Sequence, residues 1–120
     1  TDVMLVQDPV VGKALQYIQD HLTETIRVED LLKHVFVSRT LLERRFRTEL
    51  GRTPLAEIRR QRVRRARQLL ADTNLPMVEI ADACGFSSDI RLSSVFKELT
   101  GRAPSAFRRE VRAPSSVDEM

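Results

Sequence analysis

The feature with the clearest chemical meaning is a basic stretch between residues 39 and 67. Its 29 residues contain eleven arginines and three acidic residues, a balance of +8, whereas residues 1–38 carry a balance of −3. The arginine guanidinium is planar and donates hydrogen bonds in a fork that fits phosphate oxygens and the acceptor edge of guanine. The stretch therefore indicates a nucleic-acid partner, with a solvated helix face as the alternative interpretation.

Other side chains that could do chemistry are few and scattered. His21 and His34 are isolated, so no metal site and no cofactor are expected. Cys84 precedes a glycine and is interpreted as a small core residue. The sequence contains no recognisable set of nucleophile, base and orienting group, and no glycine-rich phosphate loop. It therefore predicts a protein that is not an enzyme.

The elements that position the arginines are predicted to be helices. Apolar residues recur at helical spacing, and no segment alternates with period two for long enough to form a strand. The 120 residues suffice for one domain or two very small lobes. No apolar run approaches the ~20 residues that span a bilayer, and no signal-peptide pattern begins the chain. We expect a cytoplasmic protein with no membrane partner, a location that the lack of a disulfide framework also fits.

An internal repeat becomes visible when the chain is shifted by 50 residues. Both apolar residues and helix-ending residues coincide without a gap, so one supersecondary unit has been built twice. Matching pairs include Val28 with Val78, Phe36 with Phe86, Ser38 with Ser88, Leu42 with Leu92, Phe46 with Phe96 and Gly51 with Gly101.

The first copy is predicted to form two short helices joined by a tight turn. A helix over residues 28–34 precedes a turn at 35–37. Ser38 is a good N-cap for a second helix, and Gly51 can take the left-handed conformation that ends it.

The second copy follows the same plan. A helix over residues 77–83 precedes a turn at 84–86, Ser88 caps the next helix, and Gly101 ends it. Leu99 is expected in the core stripe of that helix. Two such units are typical of the helix-turn-helix, whose second helix lies in a DNA major groove.

Three further helices are predicted over residues 9–22, over 54–71 and from 104 onward, each beginning with a proline. Asp8 and Thr53 are the expected N-caps of the first two. The apolar residues expected to form their stripes are Val11, Leu15, Ile18, Leu22, Leu55, Ile58, Ala66, Leu69, Leu70, Phe107 and Val111.

The fold class is therefore all-α, with two helix-turn-helix subdomains joined by a long linker helix and about seven helices. The expected domain covers residues 8–112. The expected parts are the end of an interdomain linker at 1–7, lobe one at 8–53, the linker helix at 54–71, lobe two at 75–112 and a flexible tail at 113–120.

A group of residues across the second repeat matches a family signature: Ile80-Ala81, Gly85-Phe86, Phe96-Lys97-Glu98, Gly101-Arg102-Ala103-Pro104 and Phe107-Arg108. With these residues the chain resembles the DNA-binding domain of the AraC/XylS family of bacterial transcription regulators. The first lobe, with Val37-Ser38-Arg39 and Leu42-Glu43-Arg44-Arg45-Phe46, is most similar to the xylose-operon regulators of that family.

The resemblance implies a regulator, an activator, with RNA polymerase as a partner and a sugar-sensing domain ahead of the DNA-binding domain. Two positions depart from the pattern. Val35 takes the slot that Gly85 fills in the second copy, and Arg91-Leu92 stands where many members have a Tyr-Phe pair.

On the second helix of the first copy, the residues opposite Leu42 and Phe46 are predicted to face DNA. Arg44 can fork onto a guanine and Glu43 can accept from cytosine N4, whereas Arg47 is expected at a phosphate. The resemblance points to Thr40, Glu43 and Arg44 as base readers. The predicted DNA-binding residues of this helix are Arg39, Thr40, Glu43, Arg44 and Arg47.

In the second copy the corresponding face is more polar than basic. The resemblance matches Asp89, Ile90 and Ser94 to base-reading positions, and Lys97 is expected at a phosphate. Ser88 is a cap first and a phosphate contact second. The predicted DNA-binding residues of this copy are Ser88, Asp89, Ile90, Arg91, Ser93, Ser94 and Lys97.

Sequence-specific binding of double-stranded DNA is the function that these patterns favour. Because the two reading faces differ, the expected site is bipartite and not palindromic, with centres about 10–10.5 bp apart. Small-molecule binding by these residues is not expected. The alternative function is an all-α protein-interaction module on a helix-turn-helix scaffold.

Overall fold

A computed structural model describes residues 6–113 of the chain. No strand occurs among these residues, which confirms the all-α prediction. None of their helices is long and apolar enough to cross a membrane. Residues 1–5 and 114–120, where most of the expected linker end and tail would lie, fall outside the described residues. Residues 6–113 form seven helices: α1 (Pro9–Asp20), α2 (Val28–Val35), α3 (Arg39–Leu50), α4 (Pro54–Asp72), α5 (Met77–Cys84), α6 (Asp89–Thr100) and α7 (Pro104–Arg112).

The chain divides into two compact units, and the division falls between Gln61 and Arg62, inside α4. Unit 1 contains α1, α2, α3 and the first part of α4, and unit 2 contains the remainder of α4 with α5, α6 and α7. The segment expected to be a separate linker helix therefore contributes to both cores: Ile58 packs in unit 1, and Ala66 and Leu70 pack in unit 2.

Unit 1 is organised around one face of α1. Asp8 caps this helix as predicted, since its Oδ1 accepts the backbone N–H of Val10 at 2.9 Å. Leu15 and Ile18 are fully buried, and Leu42 of α3 belongs to the same core. Removal of these apolar side chains from water is the main stabilising contribution.

Unit 2 is organised around α6. Phe96 is fully buried and meets the Phe107 ring edge-on, with the two ring centroids 5.5 Å apart. Cys84 is also fully buried, which confirms its prediction as a core residue, and burial raises the pKa of its thiol to about 11. Val63 belongs to this core as well, although the sequence pattern did not single it out.

Helix α7 fastens to the C-terminal end of α4 through Arg108. Its guanidinium donates three hydrogen bonds, at 2.8–3.2 Å, to the backbone carbonyls of Leu70, Thr73 and Leu75. Leu70 is in the last turn of α4, whose carbonyls lack intrahelical partners, and Thr73 and Leu75 lie in the loop that follows, so these bonds satisfy acceptors that would otherwise need water. The Phe107-Arg108 pair in the family signature thus packs α7 into unit 2.

Three apolar residues expected in the core are exposed instead, and those predictions were wrong. Leu55, Leu99 and Val111 each keep about half of their surface in contact with solvent. Each of the three lies next to the terminal residue of its helix, whereas Ile58 and Phe96, one turn further inside α4 and α6, are buried.

The turn of the first repeat differs from the turn of the second. In unit 2 the left-handed residue is Gly85 (φ 86°), whereas in unit 1 it is Phe36 (φ 57°), one repeat position later. The aligned Val35 is β-branched and disfavours positive φ, so α2 continues through it. As a result, Phe36 is 89% exposed although its repeat equivalent Phe86 is only 8% exposed. The repeat predicted the same environment for these two phenylalanines, but only Phe86 is buried.

Candidate nucleic-acid interface

Helices α3 and α6 begin and end by the same local rules. The hydroxyls of Ser38 and Ser88 each accept the backbone N–H three residues on, at 3.2 and 3.1 Å. Gly51 and Gly101 end the helices in the left-handed conformation, at φ 73° and 79°. All four sequence predictions are confirmed, and each helix is fixed at both ends.

The predicted residues of α3 lie on its solvent side. Leu42 and Phe46 are fully buried on the opposite side. A 3.6-residue repeat therefore directs one continuous polar stripe outward. Arg39, Thr40, Arg44 and Arg47 are exposed, and Glu43 is half-buried.

Within this stripe, Arg39 is held by two carboxylates. Its Nε donates to Oε1 of Glu43 at 3.2 Å, and its Nη1 lies 3.9 Å from Oε1 of Glu29 on α2. Sequence reasoning missed Glu29. The i, i+4 spacing could have indicated the contact with Glu43, but the contact with α2 depends on how the two helices pack.

Arg45 belongs to the basic stretch but turns away from the polar stripe. Its Nη1 donates to both carboxylate oxygens of Asp8, at 3.2 and 3.3 Å. Arg45 is half-buried, and its repeat equivalent Val95 is buried in unit 2. One of the eleven arginines is therefore bound to the start of α1.

A buried carboxylate engages further arginines of the same stretch. Glu57 has no solvent exposure, and its Oε1 accepts from Nη1 of Arg52 at 2.8 Å. Arg60 places its Nη1 3.9 Å from the other oxygen, which also accepts from Gln61. Buried charges need such partners. The sequence pattern did not indicate this network, through which part of the basic charge stabilises the unit 1 core.

The predicted residues of α6 also lie on the side opposite the core. Leu92 and Phe96 are fully buried behind them. Ile90, at the second position of the helix, is 77% exposed, an unusual place for a large apolar side chain. Arg91, Ser94 and Lys97 are exposed, whereas Asp89 and Ser93 are half-buried, and Ser88 is exposed at the N-cap.

A shallow, open groove of about 310 Å³ lies beside the start of α6. Two carboxylates line it, which makes it a poor site for phosphate. Its lining residues are Val78, Glu79, Ala81, Asp82, Phe86, Ser87 and Ser88.

Metal chemistry finds no support in the described part of the chain. No group of three or more His, Cys, Asp or Glu side chains there could hold an ion. His21 is not isolated as expected, because its Nδ1 lies 2.8 Å from Oε2 of Glu24 and its ring stacks on Tyr17 at 4.2 Å. That histidine is part of the unit 1 surface packing.

Comparison with known proteins connects these features to a family. A helix-turn-helix domain family model matches residues 31–110. The xylose operon regulatory protein of Escherichia coli strain K12 is 38% identical over 108 residues, which are 90% of this chain and 28% of that protein. The chain thus spans less than a third of the length of this curated relative.

Two solved structures agree with the fold across nearly the whole chain. A transcriptional regulator from Chromobacterium violaceum, described as AraC-type DNA-binding domain-containing, is 34% identical with a TM-score of 0.80. The likeness covers 89% of this chain and 96% of that one. The DNA-binding domain of AdpA, solved in complex with a target DNA, is 33% identical with a TM-score of 0.80, covering 91% and 100% of the two chains.

Proposed function

The chain belongs to the AraC/XylS family of bacterial transcription regulators, and we propose that it binds double-stranded DNA sequence-specifically through α3 and α6. One observation carries this proposal: each helix presents a polar stripe to solvent opposite a fully buried face, and each begins at a serine cap. In a helix-turn-helix the N-terminal residues of the second helix meet base edges in the major groove.

In unit 1 we assign base reading to Thr40, Glu43 and Arg44. The Arg44 guanidinium can fork onto O6 and N7 of guanine, the Glu43 carboxylate can accept from cytosine N4, and the Thr40 methyl group fits a thymine methyl. Arg47 lies one turn beyond and is assigned to phosphate, and Arg39 lies at the N-terminal end of the stripe.

In unit 2 we assign base reading to Asp89, Ile90 and Ser94. The Asp89 carboxylate suits cytosine N4, and the exposed Ile90 side chain suits the methyl group of thymine. Arg91 and Ser93 flank this face. Phosphate contacts are assigned to Lys97 and, through the remaining capacity of its hydroxyl, to Ser88.

At the level of the whole protein, we propose a cytoplasmic transcription activator that is not an enzyme and that acts with RNA polymerase. We also propose a sensor domain ahead of residue 8, with a sugar as the effector. The support is that the region matched here is 28% of the xylose operon regulatory protein. Residues 1–7 are then the end of the interdomain linker.

The test is selection from a randomised duplex library followed by mobility-shift assays on the enriched sequences. We expect an enriched duplex to be retained at salt concentrations that release random duplexes. Arg109→Ala on α7 is the control for Arg44→Ala on α3, since both remove one exposed arginine charge. Only Arg44→Ala should change which sequences are enriched. Failure to retain any duplex at low salt would favour the protein-interaction module instead.

A further inference from the structure

Glu29 occupies a position from which it can act on the first reading helix without belonging to it. It lies in the first turn of α2, and Arg39 is the first residue of α3. The gap between Glu29 Oε1 and Arg39 Nη1 is 3.9 Å. A helix-to-helix ion pair therefore ends at the tip of the reading stripe.

The Arg39 guanidinium is fixed by two contacts on different helices. Nε donates to Glu43 at 3.2 Å, while Nη1 faces Glu29. Within residues 6–113 no partner of Nη2 is present, and 56% of the side chain is exposed. The two carboxylates thus contact Nε and Nη1, while more than half of the Arg39 side chain stays exposed to solvent.

We propose that Glu29 is a positioning residue for DNA recognition, which holds Arg39 so that its remaining donors contact a base acceptor. This inference rests on the proposed function. A free arginine side chain loses considerable rotamer freedom when it is ordered, and a side chain ordered beforehand loses less on binding. If Arg39 moved to a phosphate, the carboxylates of Glu29 and Glu43 would lose their cation near the negatively charged DNA backbone. Electrostatic repulsion therefore opposes that movement.

Glu29 also stabilises α2 through a favourable interaction with the helix dipole, as any acidic residue in a first helical turn does. The variant Glu29→Asp separates the two roles. It keeps the negative charge at the start of α2 but shortens the side chain by one methylene, which withdraws the carboxylate from an already long contact. Glu29→Gln removes the charge altogether.

The experiment measures binding to the selected duplex and to all its single-base variants. With Glu29→Asp we expect discrimination at one base position to fall about two- to fivefold, the range typical of an exposed ion pair. Glu29→Gln should give the same loss, whereas the control Asp20→Asn on α1, which contacts Gln16 and not Arg39, should give none. The urea midpoint of Glu29→Asp should equal that of the parent chain.

Arg39→Gln supplies the decisive comparison. It should abolish discrimination at the same base position, and adding Glu29→Asp to it should cause no further change. An equal effect of Glu29→Asp with and without Arg39, a uniform loss at all positions, or unchanged discrimination in Arg39→Gln would each overturn the positioning role. Failure of the parent chain to bind any duplex would be seen first and would refute the proposed function itself.

Discussion

The Nη1 atom of Arg52 donates a 2.8 Å hydrogen bond to Oε1 of Glu57, a carboxylate with no solvent exposure. The repeat equivalent of this arginine, Arg102, pairs instead with Glu110 on α7, where both side chains are about half exposed. The same Gly-Arg-x-Pro motif therefore supports an ion pair with a buried carboxylate in unit 1 and a surface pair in unit 2.

From this difference we predict unequal costs of removing the two carboxylates. Glu57→Gln should lower the free energy of unfolding by about 2–3 kcal/mol, because Arg52 and Arg60 lose a buried anion. Glu110→Gln should cost at most about 0.5 kcal/mol, because water screens its pair. Urea denaturation followed by circular dichroism measures both, and equal losses would contradict the assigned environments.

The substitutions Arg44→Ala and Arg47→Ala separate base reading from charge. Both remove one exposed arginine from α3, so they change the net charge by the same amount. Arg44→Ala should cost about 1–3 kcal/mol of binding free energy and relax the preference at one base position. Arg47→Ala should weaken all sequences similarly and reduce the salt slope by about one. Binding series over duplex variants at several salt concentrations provide the measurement, and equal, sequence-independent losses would reduce unit 1 to an electrostatic anchor.

The selected DNA site should consist of two different half-sites. The outward stripe of α3 carries Arg44 and Arg47, whereas that of α6 carries Ile90 and Ser94, so the two helices cannot favour the same bases. Footprinting of a 1:1 complex should show two protected segments. An inverted repeat that is bound only by two copies of the chain would contradict this expectation.

Replacing Phe36 by glycine should not destabilise unit 1 and should raise its unfolding free energy by up to about 1 kcal/mol. Phe36 is left-handed (φ 57°) and 89% exposed, so the change relieves backbone strain and sacrifices little burial. Gly51→Ala is the opposite control and is expected to cost about 1 kcal/mol of unfolding free energy, because Gly51 has φ 73°. No atom lies within 4 Å of a Cβ at this position, so the cost comes from backbone conformation and not from a clash. Thermal unfolding compares the two. A large loss with Phe36→Gly would show that the ring makes contacts in solution.

The Cys84 thiol should resist alkylation in the native protein. Burial raises its pKa from 9.0 to about 11, so the thiol stays protonated when the chain is folded at pH 8–9. The pKa of Cys84 in the folded chain lies above its value in the unfolded chain. The contribution of the protonated thiol to the free energy of unfolding is therefore fully present below pH 9 and is lost as the pH rises through 11. Iodoacetamide should modify Cys84 only after denaturation, and its rapid modification at pH 8 without denaturant would contradict the burial.

The sequence by itself determined the features that depend on neighbouring residues. Ser38 and Ser88 cap helices because a serine hydroxyl reaches the N–H three residues on, whatever the rest of the fold does. Gly51 and Gly101 end helices because glycine takes positive φ without steric cost. The 50-residue repeat and the helical spacing then predicted both buried faces, and with them the solvent side of α3 and α6.

Only the tertiary structure decided which polar side chains are engaged. Glu57 is a charged residue on an arginine-rich helix, and its type and spacing do not predict burial. The packing of unit 1 nevertheless encloses its side chain completely. Arg45 donates a hydrogen bond to Asp8, 37 residues away in the chain, and Arg39 pairs with Glu29 on another helix. Such contacts depend on the rotation and separation of packed helices to within a few ångströms. Residue spacing along one helix does not contain that information, because any rotation of a neighbouring helix preserves the spacing and changes the partner.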